Sequence, residues 1–272
     1  GVLNLGVEGM MITGAVIGFI IAVNTQIPIY GFICAAIAGA LLSILFAILT
    51  QYLMSNQVAT GLGLTMVGLG LSALIGKPYE GIKSPTLTKL DIPILSEIPI
   101  LGPMIFSHDI IVYFSILVVA TVAFVIKRTR VGLILRAVGE NQEAAHALGY
   151  KVIRIRFLAI MFGGAAAGIG GAYISLARVP QWTEGMTAGA GWIALALVVF
   201  ASWKPWRVLV GAYLFGGITV LQLNLQAIGV AIPVEILSMS PYLVTIVVLV
   251  GISLFGHHTA PGSLARPFHA SQ

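Results

Sequence analysis

Long, continuous apolar runs separated by short polar segments dominate the chain. From Gly9 to Gly76 the sequence contains no Asp, Glu, Lys or Arg. Because a helix needs about 20 apolar residues to cross the hydrocarbon core of a bilayer, this run alone accommodates three spans. A transmembrane β-barrel would instead carry shorter segments of alternating polarity. The pattern predicts an all-α, polytopic membrane protein with about eight transmembrane helices, at residues 10–26, 30–53, 57–76, 109–127, 157–177, 188–203, 207–228 and 241–256. Some of these spans are short or contain glycine, so broken or tilted helices are expected among them.

The composition supports this membrane assignment. The 272 residues are 58% hydrophobic and 8% charged, with a mean hydropathy of +1.03, whereas a soluble domain carries about 25% charged residues. The chain therefore has too few charges to solvate a globular surface, and its principal surroundings are the lipid bilayer. The net charge of +5 does not require nucleic acid as a partner, since basic residues accumulate on the cytoplasmic side of membrane proteins.

Basic residues divide the predicted loops into two sides. Ten of the 14 Lys and Arg residues lie in or beside the loop at 128–156, in the turn at 204–206 and in the C-terminal tail. This bias predicts that these segments are cytoplasmic. The expected organisation is one transmembrane domain over 1–256, with a cytoplasmic loop at 128–156 and an external loop at 77–108, followed by a cytoplasmic tail at 257–272. The external loop holds five of the 12 prolines and is interpreted either as an ordered, irregular cap or as a passive connector.

Glycine is abundant inside the predicted spans. The chain has 32 glycines, and two pairs have the four-residue spacing at which small residues let membrane helices approach closely. These pairs, Gly14 with Gly18 and Gly164 with Gly168, are predicted to pack helices together. An alternative and compatible interpretation is that some glycines mark hinges.

Several kinds of chemistry are missing from the sequence. It has no phosphate-binding P-loop, and neither an H-E-x-x-H motif nor a Cys/His cluster for a metal. The span interiors lack the carboxylates that ion-coupled carriers usually need. The chain therefore resembles a pathway whose energy comes from another subunit, and we expect no catalytic, metal or cofactor site in it. Neutral polar residues suit a neutral, hydroxyl-rich solute, and polarity and position suggest a path near Asn4, Glu8, Asn56 and Trp192.

A short helix is predicted inside the cytoplasmic loop. Asn141 is a good N-cap, and Glu143 falls in the first turn, where the helix dipole favours an acid. An Ala-rich stretch follows, and Gly149 can form a left-handed C-cap. Because a helix of about two turns is not stable alone, we expect it to dock into a groove of another protein.

The sequence E-A-A-H-A-L-G at 143–149 resembles the EAA-x-x-x-G coupling loop of bacterial ABC importer permeases. The opening G-V-L-N-L-G-V-E-G-M-M at 1–11 is similar to the core of the branched-chain amino acid, ribose and nucleoside permease family. T-R-V-G-L-I-L-R-A-V-G-E-N at 129–141 points to its simple-sugar and nucleoside subgroup. The loop departs from the wider pattern because it lacks the I-x-L-P tail. The resemblance implies ATPase-coupling roles for Glu140, Asn141, Glu143, Ala144, Ala145, Leu148 and Gly149.

The resemblance also implies the setting of the chain. Such a permease lies in the bacterial plasma membrane, works by alternating access, and binds ABC ATPase subunits that carry ATP and Mg²⁺. Further expected partners are a second, related and longer permease and an extracytoplasmic solute-binding protein. Family members commonly have ten spans, so the opening at Gly1, without a Met, predicts two further spans upstream.

Four alternatives to a nucleoside or sugar importer stay open at this point. An ABC permease for branched-chain amino acids would share the same architecture. An ion-coupled secondary carrier would be driven by a proton or Na⁺ gradient without partners. A passive channel would conduct without ATP, and a structural scaffold would conduct nothing.

Overall fold

The computed structural model describes residues 1–87, 89–91, 107–229, 233–255 and 260–269. Within these ranges the chain is almost wholly helical, which confirms the all-α prediction. The helices are α1 (Val7–Thr25), α2 (Pro28–Ala47), α3 (Gln57–Gly76), α4 (Ile110–Arg128), α5 (Arg130–Glu140), α6 (Gln142–Ala147), α7 (Val152–Tyr173), α8 (Ala190–Phe200), α9 (Pro205–Ala227) and α10 (Val234–Phe255). Wider π-helical turns extend α2 through Ile48–Tyr52 and α7 through Ile174–Arg178.

Six of the described helices are long and apolar enough to cross a membrane, namely α1, α2, α3, α4, α7 and α9 with their extensions. The predicted spans fall on these six helices and on α8 and α10. The prediction of a complete span at 188–203 is corrected by the structure. Helix α8 has only 11 residues and extends about 16 Å, which is about half of the hydrocarbon thickness. Left-handed backbone at Gly185, Ala188 and Gly189 keeps the preceding segment from continuing the helix.

Helices α1, α2 and α7 form the central core through close contacts between small residues. Gly14 and Gly168 lie so close that a Cβ on Gly14 would collide with the Gly168 backbone. Gly18 faces Ala172 and the Gly31 carbonyl, and Gly164 packs against Ser43. Because lipid tails are as apolar as the helix surfaces, the hydrophobic effect does not bring helices together within the bilayer. Close van der Waals contact between small residues favours their association instead.

The two ends of this core carry different elements. At one end, the start of the chain contacts the tail, where the Ala265 amide donates to the Gly1 carbonyl at 3.0 Å. The tail in turn contacts α5, since the Ser263 amide donates to the Gly139 carbonyl at 2.9 Å. The loop at 128–156, the tail and the start of α1 therefore share one side, as the distribution of basic residues predicts.

The opposite end is closed by the segment after α3. Glu80 pairs with Trp182 in an isolated bridge, and the Ser84 amide donates to the Pro180 carbonyl at 3.1 Å. Strands β1 (Lys89–Asp91) and β2 (Ser107–Asp109) form an antiparallel pair beside it. The described part of the predicted external loop thus forms a strand pair and bridges to the segment after α7, while Pro93, Pro99 and Pro103 lie outside the described residues.

Candidate functional site

Helix α6 forms a capped, six-residue element in the loop that is predicted to be cytoplasmic. The Asn141 Oδ1 atom accepts a hydrogen bond from the Ala144 amide at 3.0 Å, which satisfies one of the free donors at the helix start. At the other end Gly149 has a φ of +87°, and the Tyr150 amide donates to the Ala145 carbonyl at 3.2 Å. Both predicted caps are confirmed.

The faces of α6 differ in what they contact. Leu148, just beyond its end, is 77% exposed, and Glu143 and Ala144 are exposed as well. Ala145 is only 1% exposed and packs with Val138 and Val152. Ala145 therefore lies on the inward side of α6, where its side chain holds the helix in place, and its coupling role stays a prediction.

Glu140 and Asn141 form the joint between α5 and α6. Glu140 is the last residue of α5 and is exposed, and its carbonyl oxygen accepts a hydrogen bond from the Ser263 hydroxyl at 3.2 Å. Asn141 has an extended backbone, with φ of −143°, which separates the two helices. The outward side of this element is thus formed by Glu140, Glu143, Ala144 and Leu148.

A second polar site lies at the start of α8, deep in the helical core. Glu8 is in the first turn of α1 and is 3% exposed. Its carboxylate accepts three hydrogen bonds, from the Thr187 hydroxyl at 2.6 Å, the Gly189 amide at 2.9 Å and the Gly191 amide at 2.7 Å. Gly189, at the N-cap position of α8, has no side chain of its own to cap the helix, so Glu8 caps it from another helix.

This arrangement stabilises a buried carboxylate, and no basic side chain among the described residues forms an ion pair with it. Three donors satisfy the two oxygens of Glu8, and the positive end of the α8 dipole faces the negative charge. Glu8 in turn satisfies amides at the start of α8 that have no partner within that helix. The geometry therefore couples α1 to the start of α8.

An apolar groove lies beside this site. It has a volume of about 400 Å³ and is lined by Leu3, Leu5, Leu62, Trp192, Leu195, Ala196 and Val199. The Trp192 side chain is 39% exposed, and its indole Nε1 donates to the Leu5 carbonyl at 3.1 Å. This bond fixes the ring orientation while leaving part of its surface accessible.

The exposed face of α3 continues from the groove. A Cβ added at Gly63 or Gly70 would meet no atom within 4 Å, whereas Gly61 and Gly68 pack tightly against the start of α1. The alternating contacts leave one side of α3 packed and the other open. Helical spacing places Gly61 and Gly68 on one face and Gly63 and Gly70 on another, but it does not show which of the two faces is packed.

The predicted path residues are not brought together at one point. Trp192 lines the groove, and Glu8 caps α8 beneath it. The Asn4 Oδ1 atom accepts from the Gly6 amide at 2.9 Å, and Asn4 borders a neighbouring cavity of about 270 Å³. Asn56 caps α3 by accepting from the amides of Val58 and Ala59, so its present contacts are structural. Their part in a path stays a prediction.

The described residues contain no group of three or more His, Cys, Asp and Glu side chains placed to hold a metal ion.

Comparisons with known proteins match the chain over most of its length. Residues 1–252 match the family model described as the permease component of the branched-chain amino acid transport system. The chain is 40% identical to a putative glucose ABC transporter permease protein of Haloferax volcanii, over 92% of this chain and 82% of that protein. It is 32% identical to a nucleoside ABC transporter permease protein of Lactococcus lactis, over 92% of this chain and 83% of the relative. A guanosine ABC transporter permease protein of Bacillus subtilis is also 32% identical, over 98% and 88%. No solved structure matches the chain.

Proposed function

Because the chain belongs to the family of branched-chain amino acid transport system permease components, we propose that it carries a neutral, hydroxyl-rich solute, a nucleoside or a simple sugar, through the membrane. The chain is the transmembrane subunit of an ABC importer and a multi-pass membrane protein. It is not itself an enzyme, and an ABC permease works with an ATPase and a solute-binding protein.

The single observation that carries the choice of solute is the occupied N-terminus of α8. Transporters with broken helices use the free N-terminus of a half-helix to hold an anionic group such as the carboxylate of an amino acid. In this chain the Thr187 hydroxyl and the Gly189 and Gly191 amides are already bonded to Glu8. An amino-acid carboxylate at this point would face the Glu8 charge, so the arrangement favours a neutral solute over a branched-chain amino acid.

The groove supports the same choice. Trp192 offers a partly exposed aromatic surface in an otherwise apolar lining. Flat nucleobases stack on aromatic side chains with a gain of about 1–3 kcal/mol per base, and the apolar faces of sugar rings use the same surface. The names of the three relatives, which specify glucose, nucleoside and guanosine, agree with this class.

The proposed mechanism is alternating access. ATP and Mg²⁺ bind to the partner ATPases, whose closure moves the cytoplasmic α6, and the permease then reopens toward the other side. The outward side of α6, formed by Glu140, Glu143, Ala144 and Leu148, is the proposed docking surface. The Leu148 side chain is 77% exposed, and burying a leucine side chain in an apolar cleft gains about 1.5–3 kcal/mol. A second permease subunit completes the path along the open face of α3.

The test is uptake into proteoliposomes that contain the full transporter with its ATPase and its solute-binding protein. We expect ATP-dependent uptake of guanosine or glucose and no uptake of leucine. Uptake of leucine in preference to both would overturn the solute class. Uptake that follows an imposed proton or Na⁺ gradient without ATP would identify an ion-coupled carrier instead.

A further inference from the structure

The C-terminal segment of residues 261–268, here called the tail strap, lies against the inner side of α6. The first residue of α6, Gln142, binds it twice. Its amide donates to the Ser263 hydroxyl oxygen at 3.1 Å, and its side-chain Nε2 donates to the Pro267 carbonyl at 2.9 Å. The tail strap is therefore bonded to the coupling helix and is not a free extension.

An apolar contact joins the same two elements. Phe268 is 5% exposed and packs in a cluster with Val138, Ala145 and Val152. Its ring also meets the His146 ring edge to face, with centroids 5.3 Å apart and an interplanar angle of 67°. The buried side of α6 is thus in contact with Phe268, which supplies the largest side chain of this cluster.

The tail strap also contacts the transmembrane core. The buried Arg156 guanidinium, near the start of α7, donates to the Arg266 carbonyl at 3.0 Å and the Ser263 carbonyl at 3.4 Å. The Ala265 amide donates to the Gly1 carbonyl at 3.0 Å. The tail strap therefore connects α6 with α7 and with the segment that leads into α1.

One glycine permits its close approach to α5. A Cβ built on Gly262 would lie 2.6 Å from the Glu140 carbonyl oxygen, closer than carbon and oxygen atoms can pack. Gly262 is itself exposed, so a larger side chain there would push the tail strap away without filling the interior.

We propose that the tail strap is part of the coupling element and passes the displacement of α6 to α7 and α1. A helix of six residues is too short to be rigid alone, and bonds on its inner side determine which elements move with it. Phe268 and Gln142 are then positioning residues for transport. This inference rests on the proposed docking of an ATPase on the outward side of α6.

The first test is Phe268→Ala in the complete transporter reconstituted in proteoliposomes, with solute moved per ATP hydrolysed as the readout. We expect the ATPase to remain bound and active, and this ratio to fall at least fivefold. Phe268→Leu, which keeps an apolar side chain, should restore most of it. The neighbouring exposed His269, changed to Ala, is the control and should leave the ratio unchanged. An unchanged ratio in Phe268→Ala would overturn the proposal.

A second variant, Gly262→Val, displaces the tail strap without replacing any side chain of the buried cluster. It should lower solute moved per ATP while the amount of assembled complex in the membrane stays near that of the wild type. If Phe268→Ala does not accumulate in the membrane, Gly262→Val alone tests the proposal. An unchanged ratio of solute moved to ATP hydrolysed in this variant would then overturn it.

Leu148→Asp separates this proposal from the proposed function. If it leaves the ATPase bound, the docking surface itself is wrong. If it releases the ATPase while Gly262→Val keeps the ratio of the wild type, the docking surface stands and the tail strap has no role in coupling.

Discussion

The Glu8 carboxylate accepts a hydrogen bond from the Gly191 amide at 2.7 Å across 183 residues of sequence. Two further donors, the Thr187 hydroxyl and the Gly189 amide, complete the contact. The first turn of α1 is thereby bound to the start of α8. The Glu8 side chain holds this helix start in position, and it also occupies the positive helix end, where an anion could otherwise bind.

Glu8→Gln is the direct test of this relationship. Glutamine keeps the size of the side chain, but it loses the charge and turns one acceptor into a donor that faces amide donors. Hydrogen bonds to charged groups contribute about 1.5–3 kcal/mol each, so we expect lower thermal stability and at least a tenfold loss of uptake. Both are measurable on the purified transporter in detergent and in proteoliposomes.

The matched control is Glu184→Gln, since Glu184 lies in the segment before α8 that Glu8 contacts and is itself exposed. It should behave as the wild type. If both variants lose uptake equally, the loss follows from removing a negative charge from the protein and not from the cap that Glu8 provides.

The packing of the core is tested by Gly168→Ala. A Cβ at Gly168 would collide with the Ala35 carbonyl, and α2 would have to move away from α7. Overpacking of this kind costs about 1–3 kcal/mol. We expect a lower unfolding temperature in detergent and less protein in the membrane. Gly163→Ala, where an added Cβ meets no atom within 4 Å, is the control and should be neutral or slightly stabilising.

Local signals made much of this fold predictable from the sequence. Apolar runs locate the long helices, and the bias of basic residues predicts which side is cytoplasmic. Asn141 and Gly149 determine the ends of α6 because caps depend on the residue at one position and the backbone next to it. All of these features act within a few residues of each other along the chain.

The remaining features depend on contacts between distant parts of the chain. The partners of Glu8 follow it by about 180 residues, and no periodicity relates the two segments. The packing of Phe268 against Ala145 similarly joins the tail to the central loop. Among these features, only the late start of α8 has a local signal in the sequence, namely the closely spaced Gly185, Gly189 and Gly191. A count of spans based on hydrophobicity does not detect this signal.

The two sides of α6 predict opposite phenotypes for two acidic substitutions. Ala145→Glu places a charge in the buried cluster, and an unpaired buried charge is strongly unfavourable, so we expect little folded protein in the membrane. Leu148→Asp changes an exposed residue, so the protein should insert normally and lose the ATPase on purification. Quantitative mass spectrometry of the tagged, purified complex measures both.

The exposed His269 provides the control for the charge added by Leu148→Asp. His269→Asp introduces the same acid on the same side of the membrane, away from the outward side of α6, and should retain the ATPase. Equal loss of the ATPase in both variants would mean that negative charge on this side, and not the α6 surface, decides the association.

Trp192 is the residue of the groove whose substitution is most informative about the solute. If its ring stacks on the solute, Trp192→Ala should raise the concentration for half-maximal uptake about tenfold, as expected from about 1–3 kcal/mol of stacking. Trp192→Phe keeps an aromatic surface but loses the bond to the Leu5 carbonyl, so we expect a smaller rise.

Trp206→Ala, at an exposed tryptophan near the start of α9, is the control and should leave the half-maximal concentration unchanged. Uptake into proteoliposomes is measured over a range of solute concentrations with the solute-binding protein saturating. A fall in maximal rate alone, equal in Trp192→Ala and Trp192→Phe, would assign Trp192 to holding α8 through Leu5 and would exclude it from contact with the solute.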